Sequence, residues 1–253
     1  MWNPFDFTGK RILVTGATSG IGQATAIRLS EQGAQVCILA RNEEKIRKTM
    51  EKLAGEGHQH YVKDFSEPGG YKEIFDSIVQ DGHKIDGMVY CVGAAVLVPV
   101  GMLNKNTMDE TMTTNFYGFA EMVSQLSKKK YHDRASIVGI SAISALYPRK
   151  CQNIYAATKA AMNTLVSASA LELAAKHIRI NTVMPGFVNT PMLHQAYEGV
   201  SEEELREAAS QQLLGIAEPE DIADIIMFLL SDASRMITGR QIFADGGFLN
   251  FHD

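Results

Sequence analysis

Two side chains have the types and spacing for acid–base work. Tyr155 and Lys159 stand four residues apart, at the head of a stretch to Lys176 that holds neither glycine nor proline. On a helix such a pair shares one face. A free tyrosine titrates near pH ~10, too high for proton transfer at neutrality, and a neighbouring ammonium is expected to lower that value. Tyr155 then has the chemistry to protonate a carbonyl oxygen as hydride arrives, or to deprotonate an alcohol in the reverse direction. A second constellation is Thr15-Gly16-Ala17-Thr18-Ser19-Gly20-Ile21-Gly22. Glycines permit a tight turn and close approach of backbone to phosphate, and a helix N-terminus behind them offers N–H groups to a pyrophosphate. A glycine loop alone is weak evidence, because ordinary strand-to-helix turns share it.

The elements that would position these residues are legible. Short apolar runs at 11–15, 35–40, 60–64, 86–91, 135–141, 178–184 and 241–244 read as strands. Between them lie helical stretches at about 20–32, 42–53, 70–80, 105–130, 152–176, 201–213 and 219–231. Continuously apolar strands suit a parallel sheet covered on both faces. Strand–helix alternation predicts an α/β fold with one open, doubly wound, seven-stranded sheet. No repeat or linker interrupts it, so residues 1–253 are expected to form one domain. The least regular stretch, 187–200, is a candidate lid. The glycine loop falls at the first strand–helix junction, which favours nucleotide binding over a plain turn.

The loop spacing is G-x3-G-x-G. Together with Tyr155-Ala156-Ala157-Thr158-Lys159, Asn115 within TTNFYGF, Pro185-Gly186-Phe187-Val188-Asn189-Thr190, Thr238-Gly239 and Asp245-Gly246-Gly247, it resembles the short-chain dehydrogenase/reductase family over nearly the whole chain. The layout is most similar to the 3-oxoacyl-acyl-carrier-protein reductase-like members. The resemblance implies a Rossmann-type domain with Tyr155 as general acid/base. It implies that Lys159 also holds the nicotinamide ribose, and that Asn115 binds a water linking the lysine to solvent. It implies cofactor contacts from Gly16, Thr18, Ser19, Gly20, Ile21 and Gly22, from Asp64 on the adenine side, and from Gly93. Pro185, Gly186, Val188 and Thr190 would meet the nicotinamide. The family is usually tetrameric or dimeric, which implies a homo-oligomer, and Met108, Met112, Met122 and Met162 offer apolar surface for it.

The pattern departs in two places. The family's serine, thirteen residues before the tyrosine, is Ala142 here. Ser141 is one residue early and, on an extended chain, points to the opposite face. Ser144 shares the parity of residue 142 and is the favoured replacement. Use of Ser141 through a one-residue loop difference, or an impaired enzyme, remain the alternatives. After the fourth strand, the family's Asn-Asn-Ala-Gly is Tyr90-Cys91-Val92-Gly93, which removes side-chain bracing but keeps the glycine.

An acidic residue ending the second strand would bind the adenosine ribose and signal NAD. That position reads Ala40, followed by Arg41-Asn42. The planar fork of an arginine pairs well with a 2′-phosphate, so NADP(H) is the expected cofactor. Substrate walls are expected from 94–100, 145–154 and 187–200, with Leu146, Tyr147, Met192, Leu193 and Tyr197 making them apolar. That suits a small carbonyl or alcohol, or a carrier-linked acyl group. Arg149 and Lys150 could meet an anionic group, though exposed loop charge is the plainer reading. Lys128-Lys129-Lys130 complements a helix C-terminus; with Lys176 and Arg179 it could dock an acidic carrier, which Asp133 argues against.

Composition bounds the alternatives. The chain has 253 residues, 45% hydrophobic, with 29 acidic against 24 basic residues and a net charge of −5. That balance argues against a nucleic-acid binder. Cys37, Cys91 and Cys151 form no CxxC, and His58 and His60 lack ligand spacing, so no metal site is expected. No apolar run approaches the ~20 residues of a membrane span, and MWNPFDFTGK lacks a signal-peptide core, so a cytoplasmic protein is expected. The competing class is a nucleotide-binding regulator with a degraded site, motivated by Ala142.

Overall fold

The computed structural model describes residues 3–199, 201, 203, 205, 207 and 209–251. Seven parallel strands form one sheet in the order β3-β2-β1-β4-β5-β6-β7. They are β1 Arg11–Thr15, β2 Gln35–Ala40, β3 Gln59–Val62, β4 Gly87–Tyr90, β5 Ala135–Ile140, β6 Ile178–Pro185 and β7 Gln241–Ala244. The order reverses between β1 and β4, and the crevice beyond the strand C-termini at such a point is where ligands bind in open α/β sheets.

Period-two alternation splits the strand side chains between two cores. Leu13, Leu39, Met88, Ile137 and Ile180 face one side. They pack against α3 (Tyr71–Ile78), α5 (Gly118–Leu126) and α6 (Asn153–Leu173). Val14, Ile38, Val89, Val138 and Val183 face the other. Their cover is α1 (Gly20–Glu31), α2 (Glu43–Met50) and α8 (Pro219–Leu230). Both faces are therefore covered, as continuous apolar strands require.

Three expectations need correction. The helix anticipated over 105–130 is α4 (Lys105–Met112), a π-helical turn at Thr113–Tyr117, then α5. Met122 and Met162 are fully buried in the core and offer no surface for a partner. Arg179 spends its guanidinium on the carbonyls of Ser231 and Ile237, at 3.0 and 3.3 Å, so it does not present a docking charge. The helix expected at 201–213 lies partly outside the described residues; Glu203, Leu205 and Glu207 are helical, and the chain turns over 209–214. The stretch 187–200 begins with a bridge from Val188 to Ala217 and continues as α7 (Pro191–Ala196). Among the described residues, no helix is long and apolar enough to cross a membrane.

Candidate active site

The sheet's C-terminal edge holds a cleft of about 580 Å³, within the range of small-molecule sites. At its floor, β1 runs into the glycine loop. Gly16 and Gly20 take left-handed φ values of 65° and 50°. A Cβ on Gly22 would sit 2.5 Å from the Gly16 carbonyl oxygen, so only glycine fits. Ser19 is the extended N-cap of α1, yet its side chain makes no capping bond. The first-turn N–H groups thus face the cleft uncapped by side chain, as an anion site requires. Thr18 and Ile21 also line this floor.

At one end, Arg41, Asn42 and Asp64 line the cleft together. Asn42 Oδ1 accepts from Lys45 N at 2.9 Å, starting α2 and fixing the turn that carries Arg41. Asp64 accepts from the N–H and Oγ of Ser66, and these bonds, with nearby Arg41 and Lys63, hold its carboxyl below the usual range. Lys45 joins this end, a residue the sequence reading missed.

The other end carries the acid–base groups. Tyr155 and Lys159 lie one turn apart on α6, the ammonium 5.8 Å from the phenol ring centroid. Lys159 is 4% exposed and donates to Ile140 O at 2.7 Å, where β5 ends. The expected lowering of the tyrosine does not occur. Burial pushes the Tyr155 phenol up to about 12, and the same burial pulls Lys159 down to about 8. Desolvation disfavours both charged forms.

Asn115 sits in the π-helical turn, fully buried. Its Oδ1 accepts from Ala94 N at 2.8 Å, and its Nδ2 donates to Ala94 O and Thr158 Oγ1, both at 3.1 Å. The amide therefore ties the loop after β4 to the catalytic helix, beneath the cleft wall. Gly93 lies over this junction; a Cβ there would be 3.4 Å from Lys159 Nζ. The lost asparagine bracing is replaced by Tyr90 OH donating to Thr114 O at 2.8 Å and Cys91 N donating to Thr15 Oγ1 at 3.1 Å. Cys91 follows β4 rather than lying in it, and burial pushes its thiol up to about 12, leaving it inert.

The serine region departs from the parity argument. Ala142 is extended, but residues 143–145 form a 3-10 turn, so the chain does not stay extended to Ser144. Ser144 nevertheless lines the cleft, 5% exposed, with an Oγ that has no hydrogen-bond partner. Ser141 Oγ donates to Lys159 O at 3.1 Å and is committed to bracing the helix.

After β6, Pro185, Gly186, Val188 and Thr190 line the wall opposite. Thr190 caps α7 through Leu193 N at 3.3 Å, and its Cγ2 would lie 3.0 Å from a Cβ on Gly20. Gln212, buried and unforeseen, accepts from Phe187 N at 2.8 Å and donates to Phe187 O at 3.1 Å. No spacing in the sequence signals this long-range clamp. Of the expected substrate walls, Leu97, Tyr147, Met192, Leu193 and Tyr197 reach the cleft. Leu146 lines only a smaller neighbouring cavity. Among the described residues no group of His, Cys, Asp or Glu could hold a metal.

The chain is similar to known proteins along nearly its whole length. The family model described as enoyl-(acyl carrier protein) reductase matches residues 16–249. A 3-oxoacyl-[acyl-carrier-protein] reductase of Thermotoga maritima is 33% identical over 246 residues, 95% of this chain and 98% of that protein. An L-xylulose reductase of Caenorhabditis elegans is 30% identical over 249 residues, 97% and 98% of the two chains. The crystal structure of an Agrobacterium tumefaciens 3-oxoacyl (acyl-carrier-protein) reductase with NADP bound superposes with a TM-score of 0.88, at 26% identity, over 96% of this chain and 95% of that one.

Proposed function

The chain belongs to the short-chain dehydrogenase/reductase family of oxidoreductases, and from that premise we propose that it reduces a carbonyl with NADPH, Tyr155 giving the proton. The observation that carries this reading is the cleft that Tyr155 and Lys159, one turn apart on α6, share with the glycine cradle. The phenol, pushed up by burial, is protonated at neutral pH, and the nearby Lys159 ammonium must favour the phenolate for that proton to leave. The fit of a dinucleotide rests on the glycine cradle, the uncapped start of α1, and the two cations Arg41 and Lys45 where a 2′-phosphate would lie.

When bound, the nicotinamide supplies the hydride. The protein's own part is orientation and proton delivery. Lys159, anchored by Ile140 O, offers a positive charge beside the phenol, which favours the phenolate left after donation. Ser144 Oγ, buried and unpartnered, is proposed to donate to the reacting oxygen in place of the absent serine at 142. Asn115 keeps α6 in register with the loop after β4. Catalytic assembly as a homo-oligomer is part of the proposal, as is acceptance of small or carrier-linked carbonyl compounds.

The test is turnover of a ketone and 3-oxoacyl panel, read as loss of NADPH absorbance. Tyr155→Phe is expected to lose nearly all turnover while binding NADPH as the unaltered protein does. Tight NADPH binding with no turnover of any compound would favour a nucleotide-binding regulator instead. Unchanged turnover in Tyr155→Phe would sink the mechanism.

A further inference from the structure

A line of contacts runs from the sheet to the acid–base pair. Tyr90 ends β4 and is fully buried. Its ring stands edge-on to Phe65, centroids 5.7 Å apart, and tilted against Phe119 at 5.3 Å. Held between them, its hydroxyl donates to Thr114 O at 2.8 Å, inside the π-helical turn Thr113–Tyr117. Burial pushes the Tyr90 phenol well above its ordinary value, so the hydroxyl remains a donor near neutrality. A Cβ on Gly118, where the turn ends, would come 2.7 Å from that hydroxyl, so glycine leaves the room for it. A π turn holds one residue more than the α ladder accommodates, and such turns are rare. Relaxing this one to α geometry would rotate Asn115, the residue after Thr114, by about 100° and carry its amide off Ala94. Asn115 Nδ2 donates to Thr158 Oγ1, which donates to Tyr155 O at 2.7 Å, and Thr158 directly precedes Lys159.

We propose that Tyr90 is a positioning residue for proton transfer: its hydroxyl pins the π turn, the turn aims Asn115, and Asn115 sets the part of α6 that presents Tyr155 and Lys159. Tyr90 does not line the cleft, so it acts through Asn115 and not on a ligand. The brace is this chain's own, at a position where the family pattern has asparagine. That the placement governs turnover rests on the oxidoreductase reading above; that Tyr90 places Asn115 does not.

The experiment compares Tyr90→Phe with the unaltered protein. Phenylalanine keeps the ring between Phe65 and Phe119 and removes only the donor. The first readout is native-state hydrogen exchange by NMR at the Ala94 N–H, which donates to Asn115 Oδ1, with Val138 in β5 as reference. Ala94 should exchange about ten-fold faster or more in Tyr90→Phe, after any change at Val138 is divided out. Asn115→Ala should do the same. Tyr71→Phe is the control. That hydroxyl is also buried beside Gly118 but has no hydrogen-bond partner among the described residues, so its loss should leave Ala94 exchange and turnover unchanged. The second readout is turnover on the ketone panel. Tyr90→Phe should lower kcat about ten-fold and hold the KM for NADPH within about two-fold. Combined with Asn115→Ala it should be no slower than Asn115→Ala alone, because both act through one amide. Unchanged Ala94 exchange in Tyr90→Phe, losses that multiply in the double variant, or an equal effect from Tyr71→Phe would each overturn the proposal. Faster Ala94 exchange in a protein that turns over nothing would retain Tyr90 as the anchor of Asn115 and reject the oxidoreductase reading. Turnover with unchanged Ala94 exchange would do the reverse.

Discussion

Replacing Lys159 with methionine should make the protein more stable near neutrality while abolishing its turnover. The ammonium titrates at about 8 inside the fold against an ordinary 10.5. Between those values the unfolded chain binds more protons than the folded one, so the stability of the unaltered protein rises with pH over that window. Below pH 8 the full cost of the buried charge is present. A difference of ~2.5 pKa units is worth about 3 kcal/mol. Methionine removes that cost but leaves Ile140 O without its 2.7 Å donor, a loss of about 1–2 kcal/mol. The net gain at pH 7 is therefore about 1–2 kcal/mol. By pH 10 roughly 2.5 kcal/mol of the charge cost has been relieved in the unaltered protein, and the order of stabilities should reverse. Tyr155 does not confuse this range, because its raised value costs stability only above the ordinary tyrosine range, from about 10 upward. Urea unfolding of the two cofactor-free proteins at pH 7, 8, 9 and 10 measures the effect. Parallel stability curves would show that Lys159 is not a strained buried charge, and the electrostatic account of the site would fall with it.

Two further outcomes follow from the geometry. Arg41→Ala should weaken NADPH binding by about 1.5–3 kcal/mol, the worth of a hydrogen bond to a charged group, and leave NADH nearly unchanged; equal affinity for both cofactors before substitution would refute the NADP(H) assignment. Ser144→Ala should cut turnover by about ten-fold or more, as loss of a donor to developing charge does. Ala142→Ser should be near neutral if Ser144 already serves. Indifference to both changes would remove this turn from the mechanism.

Much of the fold was legible because parallel strands buried on both faces announce themselves as apolar runs. The glycine loop was equally legible as a strand-to-helix turn, since its left-handed φ values and close approaches are local backbone geometry. What escaped notice depends on contacts distant in sequence. Nothing in the run around Asn115 signals that its helix slips by a π turn to aim the amide at Ala94. The parity argument for Ser144 assumed an extended chain, and the 3-10 turn voids it while still placing the hydroxyl at the cleft. Tyr155 was expected to feel Lys159 first, but charge attraction read from spacing ignores the burial that shifts both groups.

The clamp of Gln212 on Phe187 bears on how the cleft can open. Phe187 spends both backbone groups on that amide, its carbonyl also accepts from Ala217 N at 3.0 Å, and Asn189 N donates to Ala217 O at 2.8 Å. Residues 187–189 are thus tied to Gln212 and Ala217 by backbone and side-chain bonds. The first residue beyond these ties is Thr190, where α7 begins, and a gating motion on this side would pivot there. The moving part is then a short flap hinged beside Gly20, not the whole loop. Opening it would separate Thr190 from the glycine loop while leaving the seat formed by Pro185 to Val188 in place. On the proposed function, such a hinge would let a molecule at the flap leave while the glycine loop and the seat formed by Pro185 to Val188 stay in place.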